Sequence, residues 1–444
     1  MLRFSGSINS MEENLLVGET WSVCPLCMKQ IPARRIRREN KIFLEKSCPE
    51  HGSFETIIWR GYEDFDGWIS GIQEPKDEPH GCPDSCGLCV SHLQETCCLI
   101  LNVTNRCDLD CRFCFAGSSH EYSDPDFGFI RNSLKKMLEK GRLLIQLSGG
   151  EPTLRGDLPE IIRAAREAGA KYVQLNSNGI RLGQDRNYVK DLAEAGLSFV
   201  FMQFDGIDDG INQKIRNRKL FEIKQQAIDH CAEFNIGVTL VPTLVRGVNS
   251  HHIGELIRYA VSQSPKVRGL HFQPVTYLGR TPGIASEEDR LTLDELVHEI
   301  SKQSEGMINP ANLLPSACDH PLCGFHGDFV VDHNKLIPLL TRGNAPKQCC
   351  CGPSAADKNR EFVARRWQRP DRIKSGDDIP EGDIHDMDVF LRRVQTHGFT
   401  ITAMAFQDAM NLDLARLRNC SLHVFNDGRT IPFCSYYLTP WNQK

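Results

Sequence analysis

Cys107, Cys111 and Cys114 stand on one short stretch in a C-x3-C-x2-C spacing. Thiolates hold iron–sulfur clusters, ordinarily four of them for a [4Fe–4S] cube. Three from a single loop would leave one iron without a protein ligand. That iron can chelate a small molecule through an amino and a carboxylate group. A zinc knot, or a cube closed by a distant fourth cysteine, is the alternative that short cysteine motifs carry.

Most of the 19 cysteines are grouped. Cys24-x2-Cys27 and Cys48-x2-His51 form two knuckles 20 residues apart. Together they suit one tetrahedral ion, zinc or rubredoxin-like iron. Cys82, Cys86 and Cys89 repeat the C-x3-C-x2-C spacing, and Cys97 can supply a fourth thiolate. An auxiliary [4Fe–4S] cluster is expected there, able to relay electrons at a potential set by burial and hydrogen bonding. Cys318 and Cys323 can hold a further cluster with two of Cys349, Cys350 and Cys351. Cys350 and Cys351 are the expected ligands and Cys434 is their rival. Cys231 lies on the apolar face of a helical pattern and reads as core.

From about residue 99 to 276 the pattern alternates strand and helix. Strands are expected at Leu99–Val103, Leu143–Leu147, Tyr172–Asn176, Phe199–Phe204, Gly237–Leu244 and Gly269–Pro274. Helices are expected at Asp124–Lys140, Leu158–Ala168, Tyr188–Ala195, Phe221–Phe234 and Ile253–Ser262. Gly141, Gly169 and Gly196 serve as helix stops. Such repeats build a parallel sheet with right-handed crossovers. Six units are fewer than the eight of a closed barrel, so an open, partial (β/α)6 barrel is expected. Chemistry in such folds gathers at the C-terminal ends of the strands. The Cys107 loop follows strand one, Ser148-Gly149-Gly150-Glu151-Pro152 follows strand two, Asn178-Gly179 strand three and Asp205-Gly206 strand four.

The chain has 444 residues, enough for two or three domains, with 40% apolar and 25% charged residues. Its net charge of −5 gives no global basic field for nucleic acid. The run Arg34, Arg35, Arg37, Arg38 is read as a solvated face. No secretory signal and no transmembrane stretch is visible. A cytoplasmic protein with reduced thiols is expected, and there grouped cysteines mean metal more often than disulfide.

The stretch from Asn102-Val103-Thr104-Asn105-Arg106-Cys107 to Cys111-Arg112-Phe113-Cys114-Phe115 resembles the signature of the radical S-adenosylmethionine (SAM) superfamily. The resemblance implies that Cys107, Cys111 and Cys114 bind a [4Fe–4S] cluster whose open iron holds SAM. An electron, from an external donor of flavodoxin or ferredoxin type, then cleaves SAM to methionine and a 5′-deoxyadenosyl radical. By the same resemblance Gly149, Gly150 and Glu151 seat the SAM amino group, and Phe113 offers its backbone to the adenine. Asn176, Asn178 and Asp205 are implied contacts to ribose or substrate.

Further features narrow the resemblance. The knuckles, the segment Gly81-Cys82 to Gly87-Leu88-Cys89, Phe272-Gln273-Pro274-Val275 with Gly279-Arg280, and Asp427-Gly428-Arg429 to Pro432-Phe433-Cys434 occur together. Nearly the whole chain is similar to the group of archaeal tetraether lipid synthase and the class D-type radical SAM methyltransferases. The first joins lipid chains through their terminal carbons. The second methylate a pterin precursor with carbon drawn from a methylene-folate. C–C bond formation at an unactivated carbon, with lipid chains as substrate, is the first expectation, and C-methylation of a small heterocycle the second. A peptide-maturing radical SAM enzyme is the third. A non-catalytic iron–sulfur carrier is disfavoured because it needs no SAM seat. No amphipathic Lys/Arg-rich helix marks a membrane anchor, while a peripheral membrane contact stays open for a lipid substrate.

The expected organisation is a knuckle region at 1–70, an auxiliary-cluster segment at 71–98, a radical SAM barrel at 99–284 and a C-terminal region with a second auxiliary cluster at 285–444.

Overall fold

The computed structural model describes residues 14–438, leaving out 73, 76, 80, 84–87, 89, 121–122, 140–143, 284, 344–365, 369–383 and 385. Cys86, Cys89, Cys349, Cys350 and Cys351 lie outside the described residues.

Strands β1 (Leu15–Val23), β2 (Gln30–Arg38), β3 (Lys41–Cys48) and β4 (Gly52–Trp59) form an antiparallel meander. Neighbouring residues of a strand face opposite sides, and this splits the arginine run on β2. Arg34 is exposed, whereas Arg35 is buried against Glu74 and Asp413. Arg37 pairs with Asp66, and Arg38 with Glu45 and Glu55. Three of the four arginines are therefore ion-paired, and Arg34 keeps the solvated character expected of the run.

The second sheet contains β5 (Cys98–Thr104), β6 (Leu144–Gly149), β7 (Tyr172–Ser177), β8 (Phe199–Gln203), β9 (Gly237–Val241), β10 (Thr243–Leu244) and β11 (Val267–Pro274). It also contains β12 (Leu314–Pro315), β13 (Gly324–Asp332), β14 (Lys335–Pro338), β15 (Gly398–Met404), β16 (Leu422–Asn426) and β17 (Arg429–Pro432). The order is β12-β13-β15-β11-β9-β8-β7-β6-β5-β16-β17, with β10 against β11 and β14 against β13. The six expected strands are β5 to β9 and β11, all paired in parallel.

β15 adds in parallel to β11, and β16 adds in parallel to β5. Among the described residues, eight parallel strands therefore lie side by side. The outermost strands of the path do not pair with each other among the described residues, so the barrel is open. A division of the chain at residue 284 does not divide this sheet, because strands from beyond it extend both edges.

Alternation sorts the side chains of each barrel strand. Ile145, Leu147, Val173, Leu175, Val200 and Met202 face outward into the main apolar core. There they meet helices such as Leu158–Glu167, Phe221–Glu233 and Ile253–Ser262. Gln146 on β6, Asn176 on β7, Gln203 on β8 and His271 on β11 line the interior cavity instead.

Candidate active site

The Cys107–Cys114 loop leaves the C-terminal end of β5 and is clasped from three directions. Cys107 N donates to Ser119 O at 3.1 Å, and Arg112 N donates to Ile215 O at 3.0 Å. Cys114 and Arg280 exchange two backbone hydrogen bonds, each 2.9 Å. Arg280 Nε also donates to Cys111 O at 2.8 Å. Gly279 takes φ +59°, and a Cβ there would stand 2.6 Å from Cys114 O. The Gly279-Arg280 pair is thus a brace for the cysteine loop.

Gly149 and Gly150 pack against the same loop. Gly150 N donates to Thr104 O at 2.8 Å, and Glu151 N to Arg106 O at 2.7 Å. A Cβ on Gly149, which holds φ +122°, would meet Thr104 O at 2.0 Å. A Cβ on Gly150 would meet Arg106 O at 2.1 Å. The close approach that requires glycine is to backbone of the cysteine loop.

Glu151 is buried, and burial pushes its carboxyl above the usual range. Its Oε1 accepts from Thr153 N, Thr153 Oγ1 and Ser177 Oγ at 3.1, 2.6 and 2.9 Å. Its Oε2 accepts from Asn178 N at 2.6 Å. Each carboxylate oxygen offers about two lone-pair sites, and Oε2 has one bond. Oε2 therefore keeps one site for a cationic donor, and Glu151 lines the cavity. Asn178 lines it too, while its Nδ2 ties to Asp108 Oδ1 at 2.6 Å.

Asp205 does not line the cavity. It is fully buried, and Arg216 donates to it from Nε at 2.8 Å and Nη2 at 2.9 Å. Burial opposes its charge, but the Arg216 guanidinium holds the carboxyl below its ordinary range. Arg216 faces the cavity in its place, and its Nη1 lies 3.4 Å from Phe113 O. Sequence reasoning picked the acid and missed the base, since 11 residues of helix and turn separate the two.

The cavity has a volume of about 320 Å³. Cys107, Cys111, Phe113, Cys114, Gly149 and Gly150 line its mouth. Phe115, Phe406, Phe433 and Tyr437 form an aromatic side wall, with Phe406 stacked on Phe433 at 4.2 Å.

Two donor sets fit metals differently. Cys24 Sγ and Cys48 Sγ lie 3.6 and 3.5 Å from His51 Nδ1, and Cys27 Sγ lies 3.9 Å from Cys48 Sγ. All four donors stand within 4.8 Å of one another. This spacing suits one tetrahedral ion with bonds of about 2.0–2.3 Å. Cys107, Cys111 and Cys114 form no such tight group. Three thiols from one loop suit a cube that leaves one iron open. Burial pushes the Cys107 thiol up to about 12, so a thiolate there needs the positive charge of bound metal.

The remaining cysteines are regrouped by the fold. Cys97 and Cys318, expected in separate clusters, stand together and line one cavity. Cys323, Cys420 and Cys434 are close enough for their charges to interact. Cys82 shares an apolar cluster with Cys434. No local spacing in the sequence connects Cys420 to Cys323. Cys231 is fully buried in the core, as expected.

A partial parallel barrel with three cysteines and a glycine turn at its mouth is the frame of a SAM-cleaving radical enzyme. Residues 101–260 match the Radical SAM superfamily, and residues 16–60 match the HMPTM N-terminal zinc ribbon domain. The chain is 34% identical over 474 residues to the 7,8-dihydro-6-hydroxymethylpterin dimethyltransferase of Methanocaldococcus jannaschii, covering 94% of this chain and 93% of that one. It is 30% identical over 237 residues to the Fe-coproporphyrin III synthase of Methanosarcina barkeri, covering 50% and 56% of the two. A solved structure, Streptococcus suis SuiB bound to precursor peptide SuiA, is 17% identical with a TM-score of 0.38, covering 48% of this chain and 46% of that one. The chain belongs to the radical SAM superfamily and is a radical SAM enzyme with an N-terminal zinc ribbon. Membership brings a [4Fe–4S] cluster and SAM. Among the described residues no helix is long and apolar enough to cross a membrane.

Proposed function

We propose that the chain is a C-methyltransferase acting on a pterin-like heterocycle. The observation that carries this reading is the likeness, over nearly the whole chain, to a pterin dimethyltransferase. It reverses the order expected from sequence, where coupling of lipid chains came first. The relatives reported above lend no support to lipid coupling, and amides in the barrel interior disfavour a hydrocarbon there.

Cys107, Cys111 and Cys114 hold the cluster in this reading. A cluster bound there supplies the electron that cleaves SAM to methionine and a 5′-deoxyadenosyl radical. Glu151 Oε2 receives the SAM ammonium, beside the Gly149–Gly150 turn that lines the cavity. The Phe113 carbonyl faces the adenine. Arg216, paired with Asp205, lines the cavity beside Phe113. Cys24, Cys27, Cys48 and His51 hold zinc. Cys97 and Cys318, with Cys323, Cys420 and Cys434, are the described candidates for auxiliary clusters. An external flavodoxin- or ferredoxin-type protein donates electrons, and the chain works in the cytoplasm.

The test is anaerobic incubation of reconstituted protein with SAM, dithionite, methylenetetrahydrofolate and 7,8-dihydro-6-hydroxymethylpterin. Mass spectrometry should find 5′-deoxyadenosine and a methylated pterin, and Cys111→Ala should abolish both. Formation of 5′-deoxyadenosine with no methylated pterin, alongside coupling of supplied lipid chains, overturns the reading.

A further inference from the structure

The barrel interior holds a closed ring of three amides. Gln146 Nε2 donates to Gln174 Oε1 at 3.3 Å. Gln174 Nε2 donates to Asn176 Oδ1 at 2.7 Å. Asn176 Nδ2 completes the ring on Gln146 Oε1 at 3.4 Å and also donates to Ser148 Oγ at 3.3 Å. Gln174 is wholly buried behind the ring, whereas Gln146 and Asn176 line the cavity.

An amide side chain has two N–H donors and two acceptor lone pairs. Subtracting the bonds above leaves Gln146 one N–H and one lone pair. Asn176 keeps one lone pair, since both its N–H groups are used. The cavity wall therefore presents two acceptors and one donor on adjacent strands. Below them Phe201 and Trp367 form an apolar floor, their rings 4.4 Å apart. Across the barrel His271 is tied through Nδ1 to Thr402 Oγ1 at 2.8 Å. Burial lowers the His271 pKa to about 4, so the ring is neutral in the working range.

We infer that Gln146 and Asn176 form the subsite that reads the amino-oxo pyrimidine edge of the substrate. Such an edge offers two donors, an exocyclic amine and a ring N–H, and one acceptor, the carbonyl. That count complements the free groups of the amide ring. The aromatic floor receives the flat apolar face of the same heterocycle. A methylene chain at this depth would leave all three groups unpaired. The inference rests on the heterocycle reading above and adds which residues select within that class.

The test compares two probes on the reconstituted holoenzyme with SAM. One is 7,8-dihydro-6-hydroxymethylpterin. The other is its 2-oxo counterpart, which lacks the exocyclic amine. Wild type should bind the first at least about tenfold more tightly, the scale of one polar contact left unmade. At least one of Gln146→Leu and Asn176→Leu should bring that ratio close to one. The ratio does not depend on how much of a variant folds. If wild type discriminates and both variants keep the full ratio, the subsite assignment is overturned while the pterin reading stands. If wild type binds neither probe, both fall together.

Discussion

Arg35 and Asp413 meet in a buried ion pair that joins the zinc ribbon to the C-terminal segment. Arg35 donates from Nε and Nη2 to Asp413 Oδ2 at 2.9 and 2.7 Å, and each side chain is 2% exposed. Glu74 takes two bonds from Arg35 Nη1, each 2.7 Å, and pairs with His320 Nε2 at 3.0 Å. Removing one partner of a buried pair strands the other charge and typically costs about 3–5 kcal/mol. Arg35→Ala should lower the unfolding free energy by about that much in denaturant titration. A loss under about 1 kcal/mol would show that the pair is dispensable.

The same pair sets a pH dependence. Burial opposes the Asp413 charge, but Arg35 beside it holds the carboxyl down to about 2. The folded value lies below the unfolded value of about 3.9. The resulting stability, about 2.5 kcal/mol, is present above pH 4 and drains away as pH falls toward 2. The stability gap between wild type and Asp413→Asn should therefore shrink as pH falls through this window. A gap that is flat from pH 6 to pH 3 contradicts it.

Zinc should matter beyond the ribbon. Cys48 ends β3, and His51 sits in the turn before β4. The ion would therefore pin the hairpin whose other residues reach the C-terminal loop. Lys46 Nζ donates to Ala409 O at 2.6 Å, and Thr56 Oγ1 to Met410 O at 3.2 Å. Structural zinc is coupled to folding. Cys24→Ser should lose one zinc per chain by elemental analysis and lower the melting temperature of the whole protein. A separate early transition for the ribbon, with the main one unmoved, would argue that the two parts are uncoupled.

What the sequence made legible was local. The barrel strands β5 to β8 fall within about two residues of expectation, because alternating runs and glycine stops are short-range signals. The cysteine spacing at Cys107 and the ribbon knuckles were readable for the same reason. The misses were long-range. Nothing near Gly398 or Leu422 announces that β15 and β16 join opposite edges of one sheet. Nor does spacing bring Cys97 to Cys318, or Arg216 to Asp205. Gly149 and Gly150 were read as making room for a ligand, but the backbone they admit is that of Thr104 and Arg106.

That last point is testable. Gly150→Ala drives a Cβ into Arg106 O, a contact that only a shift of the cysteine loop can relieve. Overpacking of this kind costs about 1–3 kcal/mol. The barrel should survive, since Gly150 lies beyond the end of β6. SAM affinity should drop at least tenfold in equilibrium dialysis, with iron bound per chain reduced. Unchanged SAM affinity and iron content would mean that the loop can move freely.

The auxiliary cysteines should separate from the radical site in their effects. Cys434 Sγ accepts from Gln407 N at 3.3 Å, and Gln407 Oε1 accepts from Asp413 N at 2.8 Å. This loop connects the cysteine to the ribbon pair. Phe433, next to Cys434 in sequence, belongs to the aromatic wall, with Phe115 centred 5.5 Å from it. Cys434 does not line the cavity and forms no part of the SAM seat, whereas Phe433 next to it does line it. Cys434→Ala and Cys420→Ala should lower methylated product by tenfold or more. They should leave 5′-deoxyadenosine formation within a few-fold of wild type, whereas Cys114→Ala abolishes both. Equal loss of both products in the Cys434 and Cys420 variants would place these thiols in the support of SAM cleavage itself.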